Sequence, residues 1–176
     1  RVLQEMVNGT LVTGGWRAPE VEESLDLCLA CKGCASDCPA GVDMATWKAE
    51  VLHRRYRRRP RPRTHYSLGW LPRWARLAAI APGPANRLAG TWIAKRVAGI
   101  DPRRPLPRFA RRARVRPSAG GGDPVVLWVD TFTEHFAPEV AAAAVRVLEA
   151  AGFAVLTPSQ RVCCGLTFTS TGQFGA

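Results

Sequence analysis

Four cysteines fall within one short stretch, Cys28-Leu29-Ala30-Cys31-Lys32-Gly33-Cys34-Ala35-Ser36-Asp37-Cys38, which is followed at once by Pro39. Their spacing, C-x2-C-x2-C-x3-C-P, is that of an iron–sulfur cluster-binding run. Thiolates at steps of three in a tight loop can wrap three corners of one cubane. The small residues Ala30, Gly33 and Ala35 let the backbone approach closely, so that amide N–H groups can point at the cluster sulfurs, and Pro39 then turns the chain away. A structural zinc site is the alternative. Zinc sites usually pair two C-x2-4-C knuckles across a longer segment, and four cysteines this close depart from that layout.

In two-cluster proteins the fourth cysteine of such a run ligates the other cluster. The run therefore predicts Cys28, Cys31 and Cys34 as ligands of one 4Fe–4S cluster and Cys38 as a ligand of a neighbouring one. A partner motif must supply the remaining ligands. No other cysteine occurs before Cys163, so that motif is expected upstream of Arg1. Two such clusters would relay electrons and perform no bond chemistry themselves, which gives no catalytic residue to this chain. The start at Arg1, on what reads as a helix tail, and the end at Gly175-Ala176 without a closing element suggest a fragment of a longer protein. A chain lacking some ligands of both clusters is expected to hold iron poorly.

The elements that must position this loop are helical. Arg1–Asn8 reads as a helix end, stopped by Gly9 in a position suited to a left-handed cap. Pro19-Glu20-Val21-Glu22-Glu23 reads as a helix start, with proline in the first turn and acids favoured by the dipole. Asp43 caps a further helix that carries Met44, Trp47, Val51 and Leu52 on one face. The cysteine loop thus sits between two helices, in a region taken as residues 1–57. Residues 58–122 read as a basic, Pro/Arg-rich linker with two modest helices, around Trp70–Ile80 and Pro84–Val97. Trp70, Trp74 and Trp92 sit on helical patterns there and are expected in the core. From 123 to 176 the pattern changes. Val125–Val129 and Phe153–Leu156 read as buried strands around the alanine-rich helix Pro138–Ala151, a βαβ unit implying a parallel sheet. The fold class is therefore mixed, a helical ferredoxin-type 4Fe–4S region followed by the start of an α/β domain whose remaining strands are expected beyond Ala176.

The formal charge is +11, and Lys32, Lys48 and Lys95 are the only lysines. The run His53–Arg63 could bind nucleic acid or an anionic membrane surface. The simpler expectation is a solvated linker enriched in arginine by GC-rich coding, with peripheral membrane contact next and no nucleic acid. His53, His65 and His135 have no ligand spacing with one another, and His135 reads as a loop residue. No apolar run approaches the roughly 18 residues of a membrane span, and no signal peptide is evident. Clustered cysteines favour metal ligation in a reducing compartment over a disulfide framework.

The segment Leu25-Asp26-Leu27-Cys28 through Cys38-Pro39, then Val42-Asp43-Met44-Ala45-Thr46-Trp47-Lys48-Ala49-Glu50, resembles the iron–sulfur half of FAD-linked oxidoreductases. In these a flavin domain is fused to a two-cluster ferredoxin region and a cysteine-rich domain. The family includes enzymes resembling D-lactate, glycolate and D-2-hydroxyglutarate dehydrogenases, and the iron–sulfur subunit of anaerobic glycerol-3-phosphate dehydrogenase has a similar layout. A second anchor, Asp130-Thr131-Phe132-Thr133 with Cys163-Cys164-Gly165-Leu166-Thr167, looks like the opening half of the CCG domain shared with heterodisulfide reductase subunits. The resemblance implies 4Fe–4S clusters here and FAD in a flavin domain, fused or on a separate subunit. It further implies an acceptor such as a quinone or a carrier protein, and a cytoplasmic place, peripheral on the inner membrane face where quinone is the acceptor. Cys163 and Cys164 are redox or cluster-ligand candidates on the same ground. Many CCG domains have a cysteine just after the first strand, where this chain has Asp130 and Thr131.

Overall fold

The computed structural model describes residues 1–111, 121–158 and 163–175. It divides into two compact units, Arg1–His65 with Leu166–Ala176, and Tyr66–Gly165.

The first unit is helical. Helix α1 (Val2–Asn8) ends where Gly9 enters the left-handed region at φ 69°. The N–H groups of Gly9 and Thr10 then turn back onto Met6 O and Glu5 O, the closure expected of a glycine cap. A 3-10 turn (Gly15–Arg17) leads to α2 (Pro19–Asp26), which has Pro19 in its first turn and Glu20 and Glu22 at its positive end. The short α3 (Gly33–Asp37) lies inside the cysteine run, and α4 (Met44–Arg55) follows it. Met6, Val12, Ala18, Val21, Leu25 and Val51 make the core, with Trp16 and Met44 packed at its margin. Helix α4 buries Ala45, Ala49 and Val51, whereas Trp47, predicted on its apolar face, is exposed. The Arg55 guanidinium bonds the Glu22 carboxylate, which ties α4 to α2.

The arginine-rich stretch expected to stay a solvated linker is partly packed. Arg61 donates from Nη1 to Thr171 O at 2.6 Å and from Nη2 to Gly172 O at 2.8 Å. These carbonyls belong to the end of α11 (Leu166–Ser170), where Gly172 N–H bonds Thr169 O and Gln173 N–H bonds Phe168 O. The orphan carbonyls of a helix end need donors, and a planar guanidinium supplies two in one fork. The buried Gln173 completes the seam by donating to His65 O at 2.8 Å.

In the second unit, α5 (Arg63–Ser67) crosses in from the first and is followed by α6 (Leu71–Ala78), α7 (Pro82–Gly90) and α8 (Trp92–Val97). The single helix predicted for 84–97 is broken at Thr91. There the backbone is extended and the hydroxyl accepts from Ala94 N–H, so a cap replaces a helical turn. Strands β1 (Asp123–Val126) and β2 (Phe153–Leu156) pair in parallel, with Asp123 opposite Phe153 and Val126 opposite Leu156. Between them run α9 (Thr131–Phe136) and α10 (Pro138–Ala150). The strands were expected to be buried, but of their residues only Val155 is. A two-stranded sheet gives each strand one neighbour, and α10 covers it.

Three further expectations change here. The segment from Pro102 is not a free linker in its described part, because the Asn86 side chain accepts from Phe109 N–H and donates to Phe109 O, both at 2.8 Å. The Phe109 ring also packs on Phe136, centroids 5.0 Å apart. Trp74 and Trp92 are exposed rather than core. His135 is buried on α9 rather than placed in a loop. Among the described residues no helix is long and apolar enough to cross a membrane.

Gly172 offers a direct check on the first unit. It sits at φ 65°, and a Cβ there would lie 2.6 Å from Ala49 O and 2.5 Å from His53 N. Gly172→Ala is expected to destabilise the protein by about 2 kcal/mol or more, through backbone strain and loss of the α11–α4 contact. Chemical denaturation followed by circular dichroism measures it.

Candidate metal centre

The cysteine run occupies the turn between α2 and α4, and α4 fixes it at three places. Lys48 Nζ donates to Cys28 O at 2.7 Å and holds the entry. Met44 N–H, one of the helix-start donors with no carbonyl partner, donates to Cys34 Sγ at 3.2 Å. Asp43 caps the helix through Thr46 N–H at 3.0 Å and receives Lys32 Nζ from the loop, also at 3.0 Å. Inside the loop, Ala30 N–H points at Cys28 Sγ at 3.4 Å. Backbone N–H groups of Val42 and Ala40, against partial desolvation and with help from Gly41, hold the Cys38 thiol below its ordinary pKa. Hydrogen bonds of this kind favour the thiolate, the form that ligates metal.

Ala30 and Lys32 both lie in the left-handed region, at φ 54° and 62°. Each costs of order 1–3 kcal/mol for a residue with a Cβ. Such strain concentrates where a loop is held for a purpose. Cys28, Cys34 and Cys38 are half-buried and Cys31 is exposed, and all are free thiols. Among the described residues no three His, Cys, Asp or Glu side chains are gathered as a finished metal-holding group. The loop thus presents four soft sulfur donors that fit an iron–sulfur cluster in chemistry, without the sulfurs being closed on one centre.

Cys163 and Cys164 lie in the other unit. Cys163 is half-buried, receives Gly165 N–H at 3.4 Å and accepts from Thr131 Oγ1 at 3.3 Å, while Cys164 is exposed. Thr131 opens α9 beside Asp130, the pair standing where the resemblance sets a cysteine. Burial disfavours the Asp130 carboxylate. The Thr133 hydroxyl and the N–H groups of Thr133 and Phe132 outweigh that and leave its pKa lowered. Asp130 is therefore spent as a helix cap, and Thr131 is the side chain that meets Cys163.

Sequence reasoning found Asp43 as a cap but missed Lys48 and the Met44 N–H, since neither a backbone donor nor a contact twenty residues away leaves a spacing signal.

The chain is 25% identical over 170 residues to the glycolate oxidase iron–sulfur subunit of Escherichia coli, covering 93% of this chain and 39% of that protein. It is 34% identical over 67 residues to the D-2-hydroxyglutarate dehydrogenase of Pantoea ananatis, covering 38% of this chain and 7% of that protein. With the D-2-hydroxyglutarate dehydrogenase of Escherichia coli it shares 27% identity over 153 residues, 76% of this chain and 15% of that protein. The chain thus spans well under half the length of these curated relatives. No family model matches it, and no solved structure does. The chain is thus similar, at low identity, to proteins of these two kinds.

Asp43 yields a pH signature. The hydrogen bonds from Thr46, backbone and side chain, and then Lys32 lower its pKa to about 2. A carboxylate depressed on folding contributes stability above its unfolded pKa of about 4. That contribution disappears as the pH falls towards its folded value of about 2. Asp43→Asn is expected to flatten this part of the stability profile, measured by denaturation at a series of acid pH values, while leaving α4 capped.

Proposed function

We propose that the chain is the iron–sulfur electron-transfer segment of an FAD-linked oxidoreductase that oxidises a 2-hydroxy acid of the D-lactate, glycolate or D-2-hydroxyglutarate type. The observation that carries this is the run Cys28, Cys31, Cys34 and Cys38-Pro39, set against the start of α4 with a helix-start N–H on Cys34 Sγ. A bound 4Fe–4S cluster supplies one-electron redox chemistry at thiolate-ligated iron. The part of the chain is to provide the thiolates, Cys28, Cys31 and Cys34 for one cluster and Cys38 for its neighbour. The N–H groups of Ala30 and Met44 would steady the sulfurs, since hydrogen bonds to sulfur tune such centres. Cys163 and Cys164 stay candidates for redox or ligand duty in the second unit. FAD and the substrate pocket belong to a flavin domain, fused or separate, and the acceptor is a quinone or a carrier protein, with no nucleic acid involved. Six free thiols suit a cytoplasmic setting.

A second arrangement, a separate iron–sulfur subunit docking on a flavoprotein, is favoured by one observation. The match that covers nearly the whole chain is to a protein named as a subunit.

Anaerobic reconstitution with iron and sulfide, followed by metal analysis and EPR of the reduced sample, tests the proposal. The expected outcome is a brown, labile, substoichiometric 4Fe–4S signal that Cys31→Ala or Cys34→Ala abolishes, with helix content retained. A colourless protein holding one zinc per chain, or iron unaffected by both substitutions, would sink it.

A further inference from the structure

Helix α8 turns its apolar side outward. Trp92, Ile93 and Val97 are 65%, 57% and 66% exposed, and at helical spacing they share one side with Arg96. The sheltered side holds Ala94 and Lys95. It is fixed there, because Lys95 Nζ reaches Pro102 O at 3.0 Å and Arg104 O at 2.8 Å. The Thr91 cap fixes the helix start as well. The outward side is therefore not a core face left unturned.

The preceding helices do the same. On α6, Trp74 and Leu77 face out with Arg76, around the buried Pro72 and Ala75. On α7, Arg87 and Leu88 are exposed side by side. Charge is distributed to match. Residues 66–100, the part of the second unit that carries these helices, hold five Lys and Arg residues (Arg73, Arg76, Arg87, Lys95 and Arg96) and no Asp or Glu.

We propose that α6–α8 form a peripheral membrane-binding face that takes an anionic phospholipid surface. Apolar and aromatic side chains interleaved with arginine suit the headgroup–acyl boundary. The apolar groups enter it, tryptophan sits at headgroup level and each basic residue adds attraction to anionic lipid. Nucleic acid fits less well, since phosphate contacts leave an exposed Ile, Val and Leu surface in water. A second copy fits less well again, because two such faces bring arginine against arginine with no acid to pair them. The proposal concerns the second unit alone and stands whether or not the cysteine loop holds a cluster.

The test is co-sedimentation of the full chain with vesicles of phosphatidylcholine, alone or mixed with phosphatidylglycerol, over a salt series. Binding is expected to the mixed vesicles only, to weaken as salt rises, and to shift tryptophan emission to shorter wavelength. Trp92→Ser with Ile93→Ser removes the apolar contribution and Arg87→Glu with Arg96→Glu the electrostatic one. Each pair should lower partitioning by about tenfold or more. All four positions are exposed, and circular dichroism confirms the fold, so that either pair serves if the other unfolds. Equal binding to both vesicle types, no binding to either, or folded variants that bind like the parent would overturn the proposal. So would a concentration-dependent dimer, or capture of single-stranded RNA, that Trp92→Ser with Ile93→Ser abolishes while mixed vesicles stay unbound.

Discussion

A helix starts with N–H groups that have no carbonyl to meet, and a cysteine sulfur held in a loop needs a donor to fix its place. The amino end of α4 answers both needs at once. Asp43 takes Thr46 N–H, and Met44 N–H goes to Cys34 Sγ. The rest of the first unit is arranged around the same helix. Lys48 fixes the entry of the loop, Val51 fills the core against α2, Arg55 reaches Glu22, and Ala49 and His53 form the floor on which Gly172 rests. A displacement of α4 would disturb the loop, the core and the docked chain end together.

Polar clamps do much of what large buried side chains do elsewhere. The largest fully buried side chains are valines, Val21, Val51 and Val155. Cohesion comes in good part from small two-point locks: Asn86 on the Phe109 backbone, Arg61 on the carbonyls ending α11, and Asp130 on α9. Each bond is worth only about 1 kcal/mol net, and leaving a buried partner unmet costs more than that. Such locks set geometry more than they add stability. The strained residues Ala30 and Lys32 lie in a loop that Lys48, Met44 and Asp43 hold from α4.

The local features were legible. Gly9 as a left-handed cap, Pro19 opening α2, Asp43 opening α4 and the strand–helix–strand order each follow from backbone rules acting within a few residues. What could not be read depends on which face meets a neighbour. Trp74 and Trp92 have core-like spacing yet point outward, because periodicity marks a side of a helix without saying whether anything covers it. Arg61 looked like part of a solvated run, whereas its guanidinium bonds the carbonyls of a segment more than a hundred residues away. The cysteine run itself was plain from spacing. The Thr131–Cys163 contact, across 32 residues, was not.

That the first unit is built from two separated stretches, Arg1–His65 and Leu166–Ala176, bears on how the protein comes into being. During synthesis α4 and the cysteine loop leave the ribosome long before the stretch that packs against α4. Until Gly172 and Gln173 have been made, the Ala49–His53 surface and the Arg61 guanidinium have no partner from that end. A nascent chain thus passes through a long interval in which its thiols are already exposed on a half-finished scaffold. Completion of the fold is thereby set in competition with oxidation of those same sulfurs.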